Sequence, residues 1–306
     1  MAALDESVVL VDGPWTHRTL SANGQRFHVA ETGSGPLVLL LHGFPEFWWS
    51  WRHQLVVLAE AGFRAVAPDL RGYGASDKPP RGYDGFTLSS DVAGMVRALG
   101  EERAVIVGHD WGGFLAWCTA ALHPSVVSRL VVVAMPHPLR LRAALLTDVW
   151  GQLAASRHVL AFQRPWIPER QLVRDDAAYV GRLLHGWSGT ASWPDAETER
   201  RCRDAMRIPG VAHSALEYYR WLVRSLPRPD GLRLAARMKT PVRAATLQLH
   251  GALDRCLLPR SAMGSDRHVA AAYTWRLLEG VGHFPHEEDP ATFETELLRW
   301  LHDDHG

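Results

Sequence analysis

What the chain lacks narrows its class before any motif is considered. Its three cysteines, Cys118, Cys202 and Cys256, are odd in number and far apart. They supply neither the even set of a disulfide framework nor the paired spacing of a zinc site. Neither sign of charge is in excess, with Lys+Arg and Asp+Glu both 33, so nothing calls for nucleic acid or an anionic membrane as partner. The sequence has no run of about 18 apolar residues that would suggest a membrane span. The opening MAALDESVVL is too acidic, and too short in its apolar part, for a secretory signal. A cytoplasmic enzyme is the expectation. Glycine is also short where a dinucleotide would need it: Gly33/Gly35 and Gly72/Gly74 each begin a G-x-G, but no third glycine opens a helix behind either pair.

What is present is ordinary in bulk and specific in pattern. The 306 residues, 47% hydrophobic and 22% charged, can bury a large core, and one domain with an insertion fits as well as two. The 13 tryptophans fill cores and line apolar pockets alike, so they point only weakly to a hydrophobic substrate.

The chain is organised around AVIVGHDWGGFLAWCTAAL, which starts at Ala104. A short β-branched strand runs through a glycine-tight bend into a helix that stops near His123-Pro124. The spacing Gly108-His-Asp-Trp-Gly112 has the form of a nucleophile elbow, with Asp110 where a serine usually stands. A carboxylate attacking carbon makes an alkyl ester on the enzyme, whereas a serine makes an acyl ester. The plainer reading is that Asp110 caps the helix that follows.

Before the elbow, strands from Thr16 to Leu20 and Gln25 to Glu31 join at Asn23-Gly24, a hairpin pair. The continuous apolar strand Leu37 to Leu41 suits the centre of a parallel sheet and empties into His42-Gly43-Phe44-Pro45-Glu46. If that loop faces the elbow, the backbone N–H groups of Phe44 and Trp111 together make an oxyanion hole. A helix from Trp48 to Ala61, a strand from Arg64 to Pro68 and a helix from Ser89 to Leu99 complete an alternation that argues for a doubly wound, mostly parallel sheet flanked by helices.

After a strand from Leu130 to Ala134, residues 138–238 read as helices: Leu139 to Ala155, Glu169 to Leu184, Asp195 to Met206 and His213 to Leu226. About a hundred helical residues between sheet strands suggest a lid, so residues 1–137 and 239–306 would form the core domain and 138–238 a helical cap. In the last of these helices Leu216, Tyr219, Leu222, Val223 and Leu226 share a face. Tyr219 therefore points inward, either as packing or as a proton donor to a leaving oxygen. Trp150, Trp166, Trp187, Trp193 and Trp221 suggest an apolar pocket beneath. The sheet resumes from Val242 to Leu249 and from Tyr273 to Leu278, followed by Asp254 and His283 in their respective loops. Asp110, Asp254 and His283 thus follow strand ends in the order nucleophile, acid, histidine. His286 and Glu287 invite a metal reading, but His283-Phe-Pro-His286 carries a proline and no helical i,i+4 pair. His286 is read as a loop histidine, and no metal or cofactor is expected.

With these residues in hand the chain resembles the epoxide hydrolases of the α/β-hydrolase fold, from about Gly24 to Leu301. The most specific pieces are HGFPEFWWSWRHQL from His42, DLRGYGASDKP from Asp69, GHDWGG from Gly108 and Gly282-His283. The resemblance implies that Asp110 attacks an epoxide carbon and that Asp254 and His283 activate the water that cleaves the ester. The Phe44 and Trp111 amides would hold the oxyanion. Two lid tyrosines usually grip the epoxide oxygen in that family. Tyr219 matches one, while the count back from Phe162-Gln163 lands on His158, either a second donor or an ordinary lid histidine.

The implied substrate is a small apolar epoxide, converted to a vicinal diol, and a homodimer stays open. Three alternatives keep parts of the pattern. A haloalkane dehalogenase would use the same triad but often carries Asn where Phe44 stands. A fluoroacetate-type dehalogenase would want an Arg at Trp111. A non-catalytic binding protein on this scaffold would not need the triad.

Overall fold

The structure, a computed structural model, describes residues 4–303. The outermost residues of the expected core domain, and the first three of MAALDESVVL, lie outside the described residues. Eight strands form one sheet: β1 (Thr16–Ala22), β2 (Gln25–Thr32), β3 (Leu37–Leu41), β4 (Arg64–Pro68), β5 (Ala104–His109), β6 (Val127–Val133), β7 (Ala245–Gly251) and β8 (Tyr273–Leu278), in the order β1-β2-β4-β3-β5-β6-β7-β8. The hairpin β1/β2 and the β2/β4 pair are antiparallel, and all other pairs are parallel. Every residue of β3 and β5 is buried. That is why these strands read as unbroken apolar runs: helices cover both faces of a parallel sheet.

The covering helices of the sheet's first part are α1 (Arg52–Glu60), α2 (Gly85–Ala98) and α3 (Trp111–Leu122). The tryptophan-rich start expected to be helical from Trp48 is instead a 3₁₀ turn, Trp48–Trp51, leading into α1. Helix α2 starts four residues before the expected Ser89, because Asp84 caps it by accepting from the N–H groups of Phe86 and Thr87.

Helices α4 (Pro138–Thr147), α5 (Arg157–Ala161), α6 (Ile167–Trp187), α7 (Ala196–Met206), α8 (Val211–Arg224) and α9 (Pro229–Arg237) all lie between β6 and β7. The single helix expected from Leu139 to Ala155 ends at Asp148 and continues as a π-type turn, Val149–Leu153. Helix α6 is broken at residues 174–177, where Asp175, Asp176 and Ala177 take positive φ of 53°, 54° and 57°. Arg203 closes the break by donating to the Asp175 and Asp176 carbonyls. Helix α9 has no counterpart in the sequence reading, and Val242 forms an isolated bridge to Val269 rather than opening β7.

This helical segment is tied to the sheet's C-terminal edge by hydrogen bonds at several places. Tyr218 donates to the Arg71 carbonyl (2.8 Å), Gln152 to the Cys256 carbonyl (3.0 Å), and the His283 N–H to the Trp187 carbonyl (3.0 Å). Three further short helices, α10 (Pro259–Ala262), α11 (Pro285–Glu288) and α12 (Pro290–His302), complete the chain. No helix among the described residues is long and apolar enough to cross a membrane.

Candidate active site

The site begins at the bend between β5 and α3. Asp110 sits there at φ 48°, ψ −116°, a conformation that costs a non-glycine residue of order 1–3 kcal/mol and is held by its surroundings. Two glycines make the bend possible. A Cβ on Gly108 would lie 2.2 Å from the Gly112 carbonyl oxygen, and one on Gly112 would lie 2.1 Å from that of Leu41. The Asp110 side chain makes no capping hydrogen bond to α3, so the plainer reading of this residue does not describe it.

Its carboxylate turns instead toward the loops after β3 and β8. The Phe44 N–H donates to Asp110 Oδ1 (3.0 Å), and His283 Nε2 lies 3.5 Å from Oδ2. The other face of His283 pairs with Asp254, Nδ1 to Oδ2 at 2.8 Å. Asp254 is itself fixed by the N–H groups of Cys256 (2.8 Å) and Leu257 (2.9 Å), with His250 Nε2 at 3.2 Å. The sheet explains the convergence, since parallel strands β3, β5, β7 and β8 all deliver their following loops to one edge.

The electrostatics follow from burial of three charges together. Burial alone would lower the His283 pKa, but the Asp254 charge, with hydrogen bonding and charge from Asp110, outweighs it and pushes the imidazole up to about 10. Burial opposes charge on both carboxylates too, yet His283 holds Asp110 and Asp254 below their ordinary values, with His250 helping at Asp254. The imidazole thus lies between two carboxylates, and each of the three groups favours the charged form of its neighbours.

Tyr219, on α8, is buried with its ring packed on Phe44, Trp111 and Phe162. Burial and the facing Asp110 charge raise its pKa well above the ordinary tyrosine value, so the phenol keeps its proton. His158, on α5, lies in the same cavity, its ring 5.7 Å from that of Tyr219. Burial pushes its pKa down to about 4. Trp111 supplies the first N–H of α3, one of the four leading groups without an intrahelical acceptor.

Three residues escaped the sequence reading as side chains. His109 sits between Glu46 Oε2 (2.9 Å, from Nδ1) and the His283 carbonyl (2.8 Å, from Nε2), bracing the His283 loop from behind. His250 supports Asp254. Glu46 and His109 lie inside the HGFPE and GHDWGG stretches, where only backbone and nucleophile had been considered. His286 is not in a loop: it lies in α11, fully buried, and its Nε2 is 3.6 Å from Glu46 Oε1. Among the described residues, Glu46, His109 and His286 form the one grouping of metal-type donors, with ligand atoms within 4.8 Å of one another. Glu46 and His109 already satisfy each other there. Of the tryptophans expected over the pocket, Trp150 and Trp166 are 94% and 73% exposed, whereas Trp187 is buried with its ring 5.6 Å from His283.

A mostly parallel sheet with a strained, aspartate-bearing bend after β5, and an acid and a histidine in the loops after β7 and β8, defines the class: an α/β-hydrolase. The α/β hydrolase fold family matches residues 36–290. Epoxide hydrolase 3 of Xenopus tropicalis is 34% identical over 92% of this chain and 76% of its own length, and the AB hydrolase superfamily protein YfhM of Bacillus subtilis is 32% identical over 92% and 96%. Among solved structures, epoxide hydrolase A of Mycobacterium thermoresistibile superposes with a TM-score of 0.82 at 28% identity, covering 94% of this chain and 98% of its own. The Bacillus megaterium epoxide hydrolase in complex with an inhibitor gives 0.84 at 26%, covering 94% and 100%. The chain belongs to the epoxide hydrolase family within the α/β-hydrolase fold, and it is a hydrolase.

Proposed function

We propose that this protein converts an epoxide and water to a vicinal diol through a covalent alkyl ester on Asp110. The observation that carries the reading is the pairing of an ionised, strained Asp110 with a protonated Tyr219 across one small chamber of about 40 Å³. An epoxide needs a nucleophile at carbon and an acid at oxygen together.

Asp110 attacks carbon as the C–O bond breaks, and Tyr219 gives its proton to the leaving oxygen. The imidazolium of His283 restores that proton to the phenol through the site. Ester formation removes the Asp110 charge that had raised the His283 pKa, so the imidazole becomes available as a base. It takes a proton from water, whose oxygen adds to the ester carbonyl carbon, and the Phe44 and Trp111 amides hold the resulting oxyanion. Collapse releases the second hydroxyl of the diol, with its proton coming from the new carboxyl group. Asp110 and the imidazolium are regenerated. Asp254 orients His283 throughout. In this reading residues 138–238 are a cap that closes the chamber over residues 1–137 and 239–306, and the part of the substrate near the nucleophile is apolar.

A dehalogenase reading has one observation in its favour. The Trp111 indole N–H is buried without a hydrogen bond of normal geometry, although it lies near enough to Tyr219 to ease the phenol's ionisation slightly, and such a donor suits a halide. Phe44 offers no second side-chain donor. Styrene oxide and 1-bromobutane, assayed separately for diol and bromide, decide between them: diol without bromide is expected. A single turnover in heavy-oxygen water with enzyme in excess tests the ester, because the label must enter the Asp110 side chain before it reaches product.

A further inference from the structure

Asp254 fixes one nitrogen of the His283 ring, but the backbone that carries the ring is held from elsewhere. The N–H groups of three successive residues are engaged. Gly282 donates to Glu288 Oε2 (2.9 Å), His283 to the Trp187 carbonyl (3.0 Å) and Phe284 to Glu288 Oε1 (3.0 Å). Glu288 closes α11, and its side chain reaches back past the start of that helix. The oxygen that takes Gly282 also takes the Gly189 N–H (2.7 Å), with the Ser188 hydroxyl 3.0 Å away. Residues 187–189 belong to the helical segment between β6 and β7, so one carboxylate joins that segment to the loop of the histidine. The two backbones nearly touch there: a Cβ on Gly282 would lie 2.3 Å from the Gly189 nitrogen and 2.5 Å from the Trp187 oxygen. Trp187 sets its ring edge-on to His283 at 5.6 Å, and Trp193, a few residues on, packs on Phe284 (4.5 Å) and donates to Glu287 (3.1 Å).

We propose that Glu288 is a positioning residue for His283: its carboxylate clamps residues 187–189 to the 282–284 backbone, so the ring keeps its place beside Asp110 only while that stretch of the cap is seated. The proposal rests on the two-step reading of the site and assigns Glu288 to the second step. A carboxylate has lone pairs enough for all the donors gathered here, whereas an amide has one acceptor oxygen and would turn its NH₂ toward an N–H. Asp110 takes its own place from the bend after β5 and the Phe44 N–H, so attack on the epoxide stands outside the clamp. A shift of about 1 Å in a reacting group costs on the order of 10²-fold. Loosening the clamp therefore slows the water step and leaves ring opening nearly as it was.

Single-turnover and steady-state kinetics of E288Q on styrene oxide decide this. Ester hydrolysis is expected to slow by at least ~10-fold, while ester formation changes by less than about 3-fold. In that event kcat and KM fall together and kcat/KM is kept, because kcat/KM reports the steps up to the ester. A residue that only stabilises the fold would lower kcat and kcat/KM in step. E288D keeps the carboxylate on a shorter arm; it should show the same split at smaller size, and it serves where E288Q does not fold. Amide exchange in the unaltered protein needs no variant, and Gly189, Gly282 and Phe284 should become exposed together. Unchanged hydrolysis, a parallel fall in kcat and kcat/KM, or exchange at Gly189 ahead of the other two overturns the proposal. H283Q on the same substrate separates the two readings. No adduct with H283Q sinks the ester and leaves amide exchange to judge the clamp. An adduct with H283Q and none with E288Q keeps the ester and removes Glu288 from its second step.

Discussion

Replacing His283 by Gln removes one function of the site and leaves most of its framework. Asp254 keeps the amides of Cys256 and Leu257 and the His250 ring, and the carbonyl at 283 still accepts from His109. What is lost is the nitrogen 3.5 Å from Asp110 and its positive charge. General-base assistance is worth typically ~10²–10⁴-fold, so an enzyme turning over on the order of 10 s⁻¹ would cleave its ester at about 10⁻¹ to 10⁻³ s⁻¹ in the variant. The ester then outlives an acid quench, and intact mass spectrometry should find one adduct per chain, heavier by the whole epoxide and mapping to the peptide that contains Asp110. The charge has its own consequence. His283 is the main group holding the buried Asp110 below its ordinary pKa. Without it burial raises that pKa, so adduct formation should speed up from mildly acidic to mildly alkaline pH. Diol at the unaltered rate, or slow turnover with no added mass at any quench time, refutes the ester. An adduct on another residue moves the nucleophile.

Tyr219→Phe keeps the aromatic packing and removes the acid; kcat on epoxides should fall by ~10²–10⁴-fold with little change in thermal stability, measured by diol release and calorimetry. Gly112→Ala places a methyl 2.1 Å from the Leu41 carbonyl oxygen, and urea unfolding should show a loss of about 1–3 kcal/mol, with activity falling as the elbow shifts. Stability should also fall as pH drops from 6.5 toward 4.5. Burial pushes His137 and His158 down to about 2 and about 4 and also lowers His42 and His286. The unfolded chain then binds protons that the folded one refuses, at about 1.4 kcal/mol per pH unit for each such histidine. Glu287, pushed up to about 7 by burial, acts in the opposite sense over this interval and offsets one of them. His158→Phe should flatten the decline seen in denaturant titrations at each pH, and an unchanged slope contradicts a neutral, buried His158.

Local pattern carried much of this site. The elbow was legible because only glycine fits at positions 108 and 112, and the chain order Asp110, Asp254, His283 was legible because each residue follows a strand whose apolar run marks its end. Element boundaries were less so. Asp84 starts α2 early through a cap that its apolar periodicity does not register, and Asp148 and residues 174–177 break helices whose hydrophobic pattern continues across the gap. Exposure of individual tryptophans was not legible at all: Trp150 faces solvent and Trp187 lies buried beside His283, although both sit between the same two sheet strands.

The amino-acid sequence by itself determined the architecture of the sheet and the residue types at its active edge, because strand periodicity and close backbone packing at glycine are local constraints. Only the tertiary structure decided what state those residues are in. The placing of His283 between Asp110 and Asp254, the burial of His158 beside Tyr219, and the bracing of His283 by Glu46 and His109 all depend on distances between segments remote in the chain. Burial and Coulomb interactions act through space, and chain spacing does not report them.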